Sequence, residues 1–126
     1  MHKRIFTIEE ANRRLPLIKG IVEDILAKGR KVKALSLLNQ TPSVKEEYDT
    51  LIKEVEVLMA ELEALGCYFK DWNFEVGLVD FPAIIEEKEV LLCWRSDESA
   101  IEWYHSLEDG YSGRKLIPVY LKQNPQ

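Results

Sequence analysis

Histidine, cysteine and methionine are scarce in this chain, two of each among 126 residues, and the scarcity narrows the possible chemistry. Cys67 and Cys93 lie far apart with no CxxC pair, which argues against a disulfide framework or a redox dithiol. A zinc set of Cys67, Cys93 and His105 lacks any close ligand pair, so both thiols are expected to pack as small apolar residues and no metal is assigned. Glu102 and His105 have an E-x-x-H spacing, but a di-metal bundle site needs a second copy and further glutamates. There is no nucleotide-binding glycine loop and no G-x-S-x-G elbow, and no cofactor is expected. No apolar run approaches the roughly 18 residues of a membrane span. The opening "MHKRIF" is basic but runs straight into "TIEEANRR", so no export signal and no membrane association are expected, and the cytoplasm is the default location.

What is present is a chain 46% hydrophobic and 31% charged, suited to one globular domain spanning residues 1–126. Charge is segregated along it. From Met1 to Leu38 there are nine Lys/Arg against four Asp/Glu, and from Val44 to Leu65 two against seven. Both segments read as helices. Thr7 and Glu10 fit a capping box ahead of Ile8, Ala11, Leu15, Ile18, Val22 and Ile25, a coiled-coil-like stripe with 3 and 4 spacing. The first helix, residues 7–38, is expected to kink at Pro16, which cannot bond back to Asn12. The second, residues 43–65, is expected to start on a Ser43/Glu46 capping box, to carry Tyr48, Leu51, Val55, Leu58, Leu62 and Leu65, and to stop at Gly66. The short connection between them predicts an antiparallel hairpin. Because a lone hairpin leaves apolar surface wet, either the C-terminal half or a second copy must cover it, and a homodimer through the hairpin is expected. The basic run Lys28–Lys33 has no interleaved aromatics, so a solvated helix face is expected there and no nucleic-acid contact.

After Gly66 the periodicity changes, and residues 67–95 read as short strands and a hairpin, with "KDWN" as a turn. A loop of Glu87 and Lys88, or of Glu86 to Glu89, opposes Ile85 to Val90, Phe81 to Trp94 and Asp80 to Arg95. An aromatic pair and an ion pair then coincide. Pro82 cannot donate to a ladder and belongs at an edge or a bulge. Residues 98–109 are expected to form a short helix with Ala100, Trp103, Tyr104 and Leu107 on its apolar face, and residues 110–126 a turn and tail. The fold class is therefore α+β: an N-terminal antiparallel helical hairpin packed with a small C-terminal antiparallel sheet and one short helix.

Arg95 alternates with Leu91 and Cys93, where an unpaired guanidinium is costly, so Asp80 is its expected partner. Nearby, "GYSGR" is a glycine-flanked turn whose amides, with the fork of Arg114, suit an anion. "FTIEEANRRLPL", "GLVDFPA", "LLCWR" and the aromatic-aromatic-His stretch before "GYSGR" together resemble the small prokaryotic proteins grouped as domain of unknown function family 2203. The motifs fall on Asp80, Trp94, Arg95, His105, Gly110, Gly113 and Arg114, and the resemblance implies no established activity. Two functional classes follow. One is a homo-oligomeric structural or regulatory interaction module built on the helical hairpin. The other is a protein or enzyme that binds an anionic small molecule in a pocket of Asp80, Trp94, Arg95, His105 and Arg114, with His105 as the candidate proton donor.

Overall fold

The computed structural model describes residues 4–71 and 73–123. Helix α1 spans Ile8–Ser36 and α2 Pro42–Ala64; they are followed by β1 (Tyr68–Phe69), β2 (Leu78–Ile85), β3 (Lys88–Arg95), β4 (Trp103–Ser106), a 3-10 turn at Tyr111–Gly113, β5 (Lys115–Leu116) and α3 (Val119–Gln123). The expected α+β architecture is present, but its one short helix is α3 at the C-terminal end and not residues 98–109.

The capping box on α1 is complete: Glu10 N–H donates to Thr7 Oγ1 and Thr7 N–H to Glu10 Oε1. Pro16 does not split the helix, which runs continuously to Ser36. Helix α2 starts earlier than expected, capped by Thr41, whose Oγ1 accepts from Val44 N–H, and not by Ser43. Pro42 explains the shift, since proline is pre-organised for the first helical position and needs no partner there. At the other end Gly66 adopts φ +94, and the Gly66 and Cys67 amides bond back to Glu63 and Leu62, a Schellman stop that L residues enter at a cost. Lys28 bridges to Glu54 across the two helices at 3.1 Å. Arg30 and Lys33 donate to the carbonyls of Glu75 and Asn73, so the basic run ties down the loop ahead of β2. In that loop the Asp71 carboxylate accepts from the amides of Asn73, Glu75 and Val76; residue 72 of the expected turn lies outside the described residues.

The five strands form an antiparallel meander in chain order. Val79, Phe81, Ala83, Ile85, Val90, Leu92 and Trp94 make its inner face and share one core with Leu15, Ile18, Val22 and Ile25 of α1. Phe6 seals the edge beside β2, edge-on to Phe81 at 5.3 Å. Its amide donates to the Pro82 carbonyl at 2.7 Å. Along a strand the N–H and C=O of one residue point to the same side, so the donor that Pro82 lacks faces Phe6, and the β2–β3 ladder loses nothing.

The β2–β3 register corrects the sequence expectation. Glu86 and Glu87, at φ 52 and 67, are the loop of a two-residue turn with both residues left-handed. Ile85 faces Lys88, Phe81 faces Leu92, Asp80 faces Cys93, and Arg95 faces Leu78. The turn sits one residue earlier than expected, which moves each partner by two positions and leaves every side chain on the face it was assigned.

Cys67 is fully buried, and burial pushes its thiol up to about 12 from 9.0. The native state keeps this proton while the unfolded chain loses it near 9, so stability falls as pH rises from 9 toward 12. Cys67→Ala should be less stable than wild type by about 1 kcal/mol at pH 7. Urea unfolding should show that gap narrowing as the pH climbs through this window.

Candidate functional site

The outer face of the sheet carries polar groups. Asp80 on β2 pairs with Cys93 on β3, and His105 on β4 pairs with Leu91, so one face presents all three polar side chains. Asp80 and His105 stand two strand spacings apart, roughly 10 Å, yet their side chains meet over β3 with Nε2 3.2 Å from Oδ1. Both are about 95% buried or more. His105 Nδ1 lies 2.8 Å from the Ser106 carbonyl, which can only accept, so Nδ1 carries a proton. A further proton must then lie between Nε2 and Oδ1, held by the carboxyl or by the imidazole. Burial raises the Asp80 carboxyl above its ordinary range, against the opposing pull of His105. The thiol of Cys93 adjoins the pair, and burial together with the Asp80 charge pushes it up to about 11.

This cluster floors a cavity of about 310 Å³ walled by Leu78, Leu91 and Leu107, with Lys70, Asp109 and Tyr111 also lining it. Beside it Arg114 is stacked between Trp103 and Tyr111, 4.5 Å from each ring centre. Its fork is taken by the Glu98 carboxylate, and Nη1 also lies 3.9 Å from Cys93 Sγ. Burial works against the Arg114 charge, but the bonds it donates to Glu98 and Cys93 outweigh it. Arg95 is held by Asp97 through two hydrogen bonds of 2.6 and 2.8 Å and donates to the Tyr111 hydroxyl.

The five residues picked out by sequence are therefore dispersed. Asp80 and His105 touch, and Arg114 joins them through Cys93. Arg95 shares their face but pairs with Asp97, not with Asp80. Trp94 is turned to the opposite face, 1% exposed in the core, where its indole N–H donates to the Glu98 carbonyl. His105 does not lie on the helix expected over residues 98–109: residues 103–106 form a strand and bury it. The amides of Gly113 and Arg114 in "GYSGR" bond to the Gly110 and Tyr111 carbonyls, so neither is free for an anion. Cys93 and Glu98 were not recognised as site residues. The alternation of Cys93 with Arg95 was the available signal for the first. For Glu98, whose carboxylate also accepts from the Arg95 amide, the sequence offered only its nearness to that arginine.

A family model described as "Uncharacterized conserved protein (DUF2203)" matches residues 4–117. The chain belongs to the DUF2203 family. The match covers α1, α2 and all five strands, so every group of this cluster lies within the DUF2203 region. Neither a curated protein nor a solved structure matches the chain. Among the described residues of this DUF2203 protein, no helix is long and apolar enough to cross a membrane.

Breaking a buried hydrogen-bonded pair by removing one member strands the other, at about 3 kcal/mol. Asp80→Ala and His105→Ala should each cost about that much in denaturant unfolding, and the double variant clearly less than their sum. Asp80→Asn should lose less than Asp80→Ala, because its amide can still donate to Nε2.

Proposed function

We propose that the protein binds a small organic anion in the cavity over the outer face of the sheet, with the Asp80–His105 pair as its proton-exchanging group. One observation carries this reading: an ionisable pair that needs a shared proton is buried at the floor of a cavity instead of being packed over. Burying such a pair is costly and weak evidence for stability, whereas a concave apolar site with a few convergent polar groups is the usual form of a ligand pocket. Arg95 and Arg114 are occupied by Asp97 and Glu98, so charge recognition passes to Lys70, the one lysine or arginine among the described residues that line the cavity, and a compact carboxylate fits better than a polyanion. Fragment screening by amide NMR should place shifts from small carboxylates around Leu91, His105 and Tyr111, with weaker effects from the matched amides. Adding a Cβ at Gly110 meets nothing within 4 Å, so Gly110→Trp should fill the cavity and abolish those shifts while the fold survives. Shifts that persist in Gly110→Trp reject the site.

A second reading, self-association through the hairpin, draws on α2. Leu51, Val55 and Leu62 are buried, but Tyr48 and Ile52 remain half-exposed and are not packed against the core. Leu58 and Met59 do pack there, so Leu58→Asp would test the fold and not the association. Tyr48, Ile52 and Met59 lie along one helical stripe, and a second copy of α2 would cover it in a two-fold bundle. Sedimentation at micromolar concentration should give a dimer that Ile52→Glu converts to a folded monomer; a monomeric wild type at about millimolar concentration removes this reading.

A further inference from the structure

The proton-exchanging pair leaves Cys93 unused, although its Sγ, one carboxylate oxygen of Asp80 and one ring nitrogen of His105 all lie within 4.8 Å of one another. We propose that Asp80, Cys93 and His105 form a zinc site, with three protein ligands and a fourth position open to the cavity. The proposal deepens the ligand-binding reading and rests on it for that fourth position, where the anion or a water would sit; the ion takes the place of the proton that Asp80 and His105 share in the metal-free protein.

Four observations lead to zinc. The donor set of one nitrogen, one oxygen and one sulfur suits a borderline ion of this kind. The spacing suits it as well: ligand atoms about 2.0 Å from a tetrahedral zinc are roughly 3.3 Å apart, and Nε2 and Oδ1 are 3.2 Å apart. The nitrogen offered to the ion is Nε2, because Nδ1 donates to the Ser106 carbonyl at 2.8 Å, and such a bond fixes the ring orientation and tautomer of zinc-bound histidines. Finally, the ligands come from three adjacent paired strands and not from loops, which holds their spacing.

Charge and protons balance. On binding, the thiol proton of Cys93 and the proton shared by Asp80 and His105 leave to solvent, and a +2 ion replaces two +1 protons, so the buried site keeps its net charge. Arg114, 3.9 Å from Sγ, then supports the thiolate, while Glu98 holds the guanidinium in place. Cys67 takes no part: its thiol donates to the Leu62 carbonyl at the end of α2. An ion with three protein ligands and an open position polarises a bound oxygen or lowers the pKa of a bound water.

The test is cobalt(II) titration of chelator-stripped full-length protein, followed by zinc competition. The expected result is one equivalent per chain, with thiolate-to-cobalt charge transfer in the near ultraviolet and the strong visible bands of tetrahedral coordination. Cys93→Ser should abolish the charge-transfer band. Asp80→Asn and His105→Gln should each weaken zinc binding at least about 10-fold, and Cys67→Ser should change neither signal. A folded wild type with no thiolate band at stoichiometric cobalt overturns the proposal without reliance on any variant, as does a band that survives Cys93→Ser. Fragment binding to the metal-free protein is scored separately. Carboxylate binding without a cobalt band rejects the zinc site and leaves the cavity reading standing; a band without carboxylate binding upholds the zinc site and rejects the organic anion.

Discussion

The pairing of β2 with β3 around Glu86 and Glu87 is the constraint on which the rest of this molecule depends. Two consecutive left-handed residues, neither of them glycine, close the hairpin, and this local strain is offset by the register it sets. Val79, Phe81, Ala83 and Ile85 meet Trp94, Leu92, Val90 and Lys88, and the apolar members of that face lie under α1. Slipping β3 by one residue against β2 would turn Leu92 and Trp94 to the outer face and bring Cys93 against the helix. The inner face thus fixes what the outer face can present.

The outer face is a chain of polar contacts rather than a set of independent charges. His105 holds Asp80, Asp80 adjoins Cys93, Cys93 lies against Arg114, and Arg114 is clamped by Glu98, which also accepts from the Arg95 amide. No buried side-chain nitrogen or oxygen among the described residues is left without a partner. Networks of this kind hold side chains in defined positions, and losing any one member leaves its neighbours unsatisfied in a low-dielectric setting. The same order that makes the cluster costly to assemble makes its spacing well defined.

Strand β4 shows how tertiary structure overrode a local signal. Asp97 and Glu98 stand at the start of the stretch expected to be helical, ahead of its apolar face at Ala100, Trp103, Tyr104 and Leu107. Their carboxylates instead neutralise Arg95 and Arg114, and residues 103–106 pair with β3. Without β4 the central strand β3 would present an open edge, with Leu92 and Trp94 of the core behind it. Closing that edge satisfies a row of backbone groups and buries His105. Aromatic residues in succession at Trp103 and Tyr104 favour a strand as readily as a helix, so the choice lay with the neighbouring strand.

The amino-acid sequence by itself determined the local features of this protein: the Thr7–Glu10 capping box, the 3 and 4 spaced stripes of both long helices, the stop at Gly66, the α+β class and the face to which each residue of the β2–β3 hairpin points. Each depends on residues close in the chain, through periodicity, capping or turn chemistry. Only the tertiary structure decided which residues meet. Asp80 found His105 and not Arg95, and Cys93 joined the cluster, because these contacts depend on where a two-residue turn centres itself and on which strand closes the β3 edge. A pairing register is set by the total burial of one sheet face, a quantity spread over three strands and a helix, and no short stretch of sequence contains it.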